Sequence, residues 1–256
     1  MIHLSTFGYA TVLTFVFLAG IIDSIAGGGG LISLPAYLFA GLPPHFALGT
    51  NKFSSCWGTL FATYRYWRSK MIDMKVALMG ALGALVGSWL GTRTVLLINP
   101  YFLNYILVFL IPIIAFITII NQNIGRQNLS ASHTGNRKLG LGILAGLIIG
   151  FYDGFFGPGT GTFLILFYTI LLHYDFVTAN ANTKVVNLAS NIAALVTFAA
   201  AGKIFYTLAI PAALFGIMGN LVGAKLVVHR GSKIIRPVFI IALSLLMIRI
   251  IWNLFK

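Results

Sequence analysis

The sequence predicts an all-α polytopic membrane protein with about 8–10 membrane segments, arranged as two inverted-topology repeats whose helices are broken at glycines. Of its 256 residues, 59% are hydrophobic and 8% are charged, and the mean hydropathy is +0.95. A water-soluble domain of this size has no interior large enough to hide so much apolar surface. In addition, apolar stretches long enough to cross a bilayer core of about 30 Å recur along the whole chain, and one unusual motif occurs twice.

The repeated motif is an apolar run that reaches an aspartate and then a glycine-rich break. Residues 19–35 read AGIIDSIAGGGGLISLP, and residues 149–163 read IGFYDGFFGPGTGTF, so that Asp23 aligns with Asp153. Broken apolar segments at matching places in two halves are typical of secondary transporters, where they form the substrate site near the bilayer midplane.

The first half contains four predicted spans, 6–25, 46–66, 74–96 and 101–121. Each is an apolar run close to the length of about 20 residues that a helix needs to cross the core. The span 74–96 also carries glycines three and four residues apart, which favours close packing against another helix; these are Gly80, Gly83, Gly87 and Gly91. The polar stretch 121–138 then forms a linker that divides a first repeat, 1–120, from a second repeat, 139–256.

The second half repeats this order with the spans 139–156, 177–200, 204–228 and 234–255. In each half a short apolar piece follows the glycine break, 31–41 in the first half and 160–173 in the second. At about 1.5 Å per residue, a helix of about 11 residues covers about half of the bilayer core. Each piece is therefore either a half-helix or the return limb of a hairpin that dips into the membrane.

Basic residues predict the orientation of the two halves. The loop after 46–66 and the linker should both be cytoplasmic because they are rich in Lys and Arg; these residues are Arg65, Arg68, Lys70, Lys75, Arg126, Arg137 and Lys138. In the second half the basic loop is the next one along, with Arg230, Lys233 and Arg236. Matching loops therefore face opposite sides, so the halves are inverted and each crosses the membrane an odd number of times. Both termini are predicted to be extracytoplasmic.

A second repeated motif lies just downstream of each break. Residues 47–55 read ALGTNKFSS and residues 179–190 read ANANTKVVNLAS, so that Lys52 aligns with Lys184. Polar residues then recur at helical spacing on one face; they are Asn180, Thr183, Lys184, Asn187 and Asn191 in the second copy, and Asn51, Ser55 and Thr59 in the first. Such a stripe should line a cavity or a helix interface, because facing lipid is costly. The alternative is that these side chains only hold helices together.

The glycine breaks are the other half of the predicted site. A helix that starts after each break, near Leu31 or Gly161, would direct free N–H groups and a positive dipole end into the membrane interior, where they attract anions. The alternative is that small residues only permit close packing. The predicted substrate-binding residues are Gly27, Gly28, Gly29, Gly30, Asn51, Lys52, Gly157, Gly159, Thr160, Gly161, Asn182, Thr183, Lys184 and Asn187.

Four charged residues within these motifs have alternative roles. Asp23 and Asp153 are two of only four acidic residues in the chain. A carboxylate within the membrane can take up a proton, or it can accept hydrogen bonds from the backbone of the break that follows. Lys52 and Lys184 could bind an anion, pair with the two aspartates, or extend towards the membrane surface.

The remaining residues exclude other classes of protein. The five histidines and the single cysteine, Cys56, show no metal-ligand spacing, and the chain contains neither a glutamate for an HExxH motif nor a GxxxxGK(S/T) phosphate loop. We therefore expect no cofactor, no metal and no enzymatic activity. The net charge of +13 resides mostly in predicted loops, which indicates membrane orientation rather than nucleic-acid binding. The expected partners are a small anion and the lipid bilayer.

Taken together, DSIAGGGG with ALGTNK and YDGFFGPGTG with ANANTK resemble the sulfite exporter TauE/SafE family over nearly the whole chain. The resemblance implies a bacterial or archaeal inner-membrane protein that moves small sulfur-containing or organic anions, such as sulfite, sulfonates or sulfoacetate, by secondary transport. The second copy has Pro158 and Thr160 where the first has Gly28 and Gly30, so the two half-sites need not be equivalent. We expect alternating access, with or without proton coupling; the alternative is a passive anion channel.

Overall fold

The computed structural model describes residues 4–99, 135–235 and 237–238. Within these ranges the chain forms eight α-helices and no strand. The predicted span 101–121, most of the span 234–255 and most of the linker 121–138 lie outside the described residues.

The helices follow the same order in both halves. The first half contains α1 (Thr6–Ala26), α2 (Gly30–Phe39), α3 (Pro44–Arg68) and α4 (Met74–Leu97). The second half contains α5 (Gly135–Phe155), α6 (Thr160–Leu171), α7 (Phe176–Ala200) and α8 (Tyr206–Arg230). Helix α5 begins inside the stretch that was predicted as linker; otherwise the bounds of these helices differ from the predicted segments by at most two residues.

Five of these helices are long and apolar enough to cross a membrane, namely α1, α4, α5, α7 and α8. The prediction of an all-α polytopic membrane protein is therefore confirmed. Helix α3 is as long as α7, at 25 residues, but it is not among the five, because polar and basic residues occupy much of its length. Asn51 and Lys52 of this helix are buried within the protein, so the polar side chains of α3 face inward rather than towards lipid.

Side chains that accept hydrogen bonds from the first turn define several helix starts. The hydroxyl of Ser5 accepts from the backbone N–H of Gly8 at the start of α1. The carboxylate of Asp175 accepts from the N–H groups of Val177 and Thr178 at the start of α7, at 2.9 and 3.0 Å. Such caps satisfy donors that a helix leaves unpaired at its N-terminus, and they place the helix boundaries near those predicted.

Helix α2 is the return limb of a hairpin with α1. A methyl group added to Gly29 would lie 2.6 Å from the carbonyl oxygen of Ala19, so the chain has already turned back at the break. At the other end of the hairpin, a methyl group on Gly8 would lie 3.7 Å from the Cβ of Ala40. The break therefore lies in the middle of the helix bundle, and α2 runs back to the end of the bundle at which α1 begins.

Helix α6 forms the matching hairpin with α5. The rings of Tyr152 and Phe163 lie 5.5 Å apart, on opposite limbs near the break. The ammonium of Lys138, in the first turn of α5, lies 5.8 Å from the ring of Tyr174, just beyond the end of α6. Both short apolar pieces are therefore return limbs, which was one of the two predicted alternatives.

The two hairpins enter the bundle from opposite ends. We call the end at which α1 begins face A and the opposite end face B. Helix α3 runs from face A to face B, and α4 runs back to face A. Helices α4 and α5 are parallel, because Val76 contacts Gly142 near their starts and Gly91 contacts Phe151 near their ends. Helix α5 therefore begins at face B, antiparallel to α1, as two inverted copies require; the inverted arrangement in a bilayer stays a prediction.

Basic residues gather at face B, where α3 and α8 end and α4 and α5 begin. They are Arg65, Arg68, Lys70, Lys75, Arg137, Lys138, Arg230 and Lys233. Near face A the described residues include only Arg93 and Lys203 as Lys or Arg. This distribution follows the pattern from which a cytoplasmic face B was predicted.

The tightest helix contact is between α4 and α5, and glycine makes it possible. A methyl group on Gly146 would lie 1.9 Å from the carbonyl oxygen of Gly80, and one on Gly91 would lie 2.0 Å from that of Phe151. Two helices approach this closely only where side chains are missing, and the contact then consists of backbone against backbone. This interface leaves no space for a solute between its two helices.

Candidate functional site

The two glycine breaks touch each other in the centre of the bundle. A methyl group on Gly27 would lie 2.3 Å from the carbonyl carbon of Gly161, and one on Gly30 would lie 3.2 Å from the Cα of Pro158. Gly27 and Gly157 have φ angles of 67° and 95°, which favour glycine because other residues are strained there. The breaks thus bring the N-terminal ends of α2 and α6 together, one from each half.

A small cavity lies beside the crossing of the breaks, bounded by α1, α3, α7 and α8. It is level with the middle of these helices, since α3 contributes residues from Asn51 to Thr59 and α8 contributes Gly216 and Asn220. The space open to the centre of a water-sized sphere is about 40 Å³. On this measure one water needs about 10–15 Å³, so the cavity has room for about three waters or one small solute.

Most of the residues predicted from the two motifs line this cavity. From the first half they are Asp23, Gly28, Gly29, Gly30, Asn51 and Lys52, and from the second half Asp153, Gly157, Gly159, Thr160, Gly161 and Asn187. The structure therefore brings both breaks and both lysine-bearing helices to one place, although the two motifs are separated by more than 100 residues in the chain.

Four predicted residues do not line the cavity. Gly27 packs against the other break. Lys184 lies behind Asp23, to which it is bound. The side-chain oxygen of Asn182 accepts from the N–H of Asp73 at 2.8 Å, near face B, and Thr183 is fully buried on the same turn of α7. Thr183 and Lys184 belong to the predicted polar stripe, which is therefore longer than the cavity.

Two buried ion pairs connect the halves reciprocally. The Nζ of Lys52 lies 2.6 Å from Oδ2 of Asp153, and the Nζ of Lys184 lies 2.8 Å from Oδ2 of Asp23. The side chains of the first pair are 4% and 3% exposed, and those of the second 0% and 16%. Each lysine therefore neutralises the aspartate of the opposite repeat, which is one of the three roles considered for the lysines.

Polar neighbours complete both pairs. The hydroxyl of Ser190 donates to Asp153 at 2.5 Å, and Lys52 also donates to the side-chain oxygen of Asn191 at 3.0 Å. Lys184 additionally donates to the backbone oxygen of Asp23. Among the described residues, the carboxylates of the two pairs accept from lysine and serine rather than from backbone N–H groups of the breaks. The two ammonium and two carboxylate groups sum to zero charge.

Several lining residues were not among the predicted site residues. The polar ones are Ser33, Ser54, Ser55, Thr59, Asn191 and Asn220; three of them, Ser55, Thr59 and Asn191, belong to the predicted stripe. Asn220 lies on α8, which was not part of the predicted site. It accepts from Ser24 Oγ at 2.8 Å and donates to the carbonyl of Gly216 at 2.9 Å. A single amide within a long apolar span was the available signal, because such residues usually face the protein interior.

Comparison with known proteins agrees with this architecture. Residues 12–250 match the family model described as sulfite exporter TauE/SafE. The chain is 34% identical over 243 residues to the probable membrane transporter protein YfcA of Escherichia coli (strain K12), covering 94% of this chain and 89% of the relative. It is 37% identical over 239 residues to the probable membrane transporter protein ORF9 of Sinorhizobium sp, covering 92% and 89%. A probable membrane transporter protein of Haemophilus influenzae is 34% identical over 241 residues, covering 93% and 92%. No solved structure matches the chain.

Proposed function

Because the chain belongs to the sulfite exporter TauE/SafE family and is a multi-pass membrane transporter rather than an enzyme, we propose that it carries a small anion across the inner membrane. The proposed substrates are sulfite, sulfonates or related sulfur-containing organic anions, and the proposed mechanism is alternating access. In the proposed membrane orientation, face B adjoins the cytoplasm and the N-terminus lies on the opposite side.

One observation carries this proposal: a central cavity is lined by both glycine breaks and by the ammonium group of Lys52. The positive dipole ends of α2 and α6 favour a negative ligand, although the N–H groups of Leu31, Ile32 and Thr160 already donate to carbonyls of the breaks. The amides of Asn51, Asn187 and Asn191, which also line the cavity, can donate to its oxygen atoms. A volume of about 40 Å³ suits a compact oxyanion rather than a large organic acid.

The charge balance supports a coupled proton. The two ion pairs leave the site neutral before the substrate arrives. Adding an anion would place an uncompensated negative charge in the low-dielectric centre of the bundle, which is costly. If one carboxylate takes up a proton when the anion replaces it beside Lys52, the site returns to neutrality. We therefore propose that the anion and one proton move together.

The first experiment is a thermal-shift screen of the purified protein. Sulfite, thiosulfate, sulfoacetate, other sulfonates and small carboxylates are tested, with dimethyl sulfone as an uncharged control. A ligand that binds only the native state raises the melting temperature as its concentration exceeds its Kd. We expect at least one sulfur oxyanion to do so and the sulfone to have no effect. A flat response to every anion would contradict the proposed substrate class.

The second experiment tests the mechanism in proteoliposomes with the best ligand. A carrier that alternates between two faces shows faster tracer uptake when unlabelled substrate is present on the opposite side, whereas a channel does not. We expect such trans-stimulation, and we expect it to be lost in Lys52→Ala combined with Lys184→Ala. Uptake without trans-stimulation would identify a passive anion channel and would contradict alternating access.

A further inference from the structure

The face-B half of the protein holds a group of buried polar atoms that lack hydrogen-bond partners. Among the described residues these atoms are Nε of Arg65, the hydroxyl of Tyr168, Oδ1 of Asn180, Nδ2 of Asn182 and Oγ1 of Thr183. They belong to the end of α3, the second half of α6 and the start of α7, all of which approach face B. An unsatisfied buried polar group is costly, so several of them together call for an explanation.

With Lys52 aligned to Lys184, Thr50 matches Asn182 and accepts from the N–H of Phe205 at 3.0 Å, so an unpartnered group is not required at that position by the fold. Tyr37, on the return limb of the other repeat, is hydrogen-bonded to Ser54 at 2.9 Å, whereas Val186 occupies the position that matches Ser54. Asn51, which matches Thr183, accepts from Ser33 at 2.7 Å, whereas the position matching Ser33 is apolar. At the two positions where both repeats carry a polar side chain, Thr50 with Asn182 and Asn51 with Thr183, only the second repeat has an atom without a partner.

These atoms lie directly behind one of the two ion pairs. Asp23 lines the central cavity, and Lys184, which binds it, is fully buried. Thr183 precedes Lys184 on α7, and Asn180 lies one turn earlier, towards face B. The amide of Asn180 and the hydroxyl of Tyr66 both donate to the backbone oxygen of Ser24, at 2.9 and 2.7 Å. The Lys184–Asp23 pair therefore separates the cavity from the unpartnered atoms.

We propose that these residues line the passage between the cavity and face B, and that the Lys184–Asp23 pair is its gate. When the pair opens, the passing oxyanion can accept from Nε of Arg65, Nδ2 of Asn182 and the hydroxyl of Thr183, and water can partner these atoms and also donate to Oδ1 of Asn180. The passage rests on the proposed transport function, but its exposure to water can be tested without any substrate. It also accounts for Thr183 and Lys184, which belong to the polar stripe but not to the cavity, and for Asn182, a predicted site residue outside the cavity.

The test is thiol labelling from each side of the membrane. In a Cys56→Ala background, Thr183→Cys is treated with a charged, membrane-impermeant methanethiosulfonate in right-side-out and inside-out vesicles. Lys233→Cys, at an exposed face-B position, reports which compartment adjoins that face. Thr92→Cys is the matched buried control, because Thr92 is fully buried and its hydroxyl donates to the carbonyl of Gly154 at 3.1 Å.

We expect Thr183→Cys to react only from the compartment that labels Lys233→Cys, and Thr92→Cys to react from neither. Adding Asp23→Asn should accelerate the reaction about 10- to 100-fold, because the lost charge-assisted hydrogen bond favours the open gate. Asp23→Asn with Lys184→Gln serves as a second gate variant that leaves no unpaired charge. Labelling from the opposite compartment, no labelling even in both gate variants, or no acceleration in either would overturn the proposal.

A second readout separates a passage from static internal hydration. Thr183→Val removes a hydroxyl that has no partner in the closed state, so the melting temperature should stay the same or rise. Ligand affinity in the thermal-shift assay should stay unchanged, while the transport rate should fall several-fold. Thr92→Val should instead lower the melting temperature and leave transport per folded molecule unchanged. If Thr183→Val transports at the wild-type rate, the passage is refuted. If the wild-type protein binds no anion at all, only the proposed function is contradicted, because the labelling test of the passage needs no substrate.

Discussion

Replacing Lys52 by methionine should weaken anion binding far more than the same change at Lys184. Each lysine forms its own buried ion pair with an aspartate of the other repeat. Lys52 lines the cavity, however, and Lys184 does not. A hydrogen bond to a charged group contributes about 1.5–3 kcal/mol. Loss of the Lys52 ammonium should therefore raise the Kd for a sulfur oxyanion about 10- to 150-fold.

The Lys184→Met variant is the matched control for damage to the fold. Removing one partner of a buried pair costs about 3–5 kcal/mol because the other charge is left uncompensated, so both variants should melt at lower temperature. Because Lys184→Met leaves Asp23 unpaired in the cavity wall, the control for binding is Lys184→Met with Asp23→Asn, which should change Kd by less than about threefold if the sites are independent. In Lys52→Met with Asp153→Asn no charge is left unpaired, so stability should recover while binding stays weak.

The measurement is isothermal calorimetry or thermal shift with the ligand found in the screen, at fixed pH and salt. Equal loss of affinity in Lys52→Met with Asp153→Asn and in Lys184→Met with Asp23→Asn would refute the asymmetric site, because neither double variant leaves an unpaired charge in the cavity. Unchanged affinity in Lys52→Met would refute the assignment of its ammonium group to the anion.

Three further predictions concern packing, coupling and the face-B surface. Gly146→Ala should destabilise the protein by at least about 1–3 kcal/mol, because its methyl would lie 1.9 Å from the carbonyl oxygen of Gly80. Gly140→Ala, with nothing within 4 Å, should be neutral or stabilising; equal melting temperatures would argue against the tight α4–α5 contact. If one proton accompanies each anion, the affinity for a sulfonate, which stays anionic at neutral pH, should tighten about tenfold per unit fall in pH while the site carboxylate is ionised; a flat profile would exclude coupling. Burial and the hydrogen bond to Asp73, at 2.6 Å, raise the pKa of the Tyr174 hydroxyl, so the folded state should lose stability as pH rises above about 10. Tyr174→Phe should reduce that alkaline loss, and an unchanged alkaline melting profile would contradict it.

The sequence was sufficient for the membrane class, most helix positions and the two breaks. These features depend on local composition: apolar runs of spanning length, capping residues such as Ser5 and Asp175, and glycines with φ angles that favour them. The directions of α1 and α5 also agree with the orientation predicted from basic loops. The domain boundary within 121–138 and the membrane position of both termini stay predictions.

The sequence was insufficient for the pairing of charged residues and for the shape of the site. Pairing between aspartates and lysines was one of several alternatives, and the stripe of α7 did not show where the cavity ends. Asn220 was missed because its role depends on contacts with α1 that its own neighbourhood does not reveal. Whether a polar residue lines a cavity, caps a helix or stays without a partner depends on which other helix packs against it, and that helix can be far away in the sequence.

The sequence by itself determined that this chain crosses the membrane and that two of its apolar segments are interrupted at glycines, because hydrophobicity and glycine act through properties of the local chain. Only the tertiary structure decided that each lysine neutralises the aspartate of the opposite repeat, that the cavity lies beside α1 and α8 rather than between α4 and α5, and that unpartnered polar groups collect on one side of it. These contacts join residues more than 100 positions apart, and their geometry is set by how closely the helices approach one another.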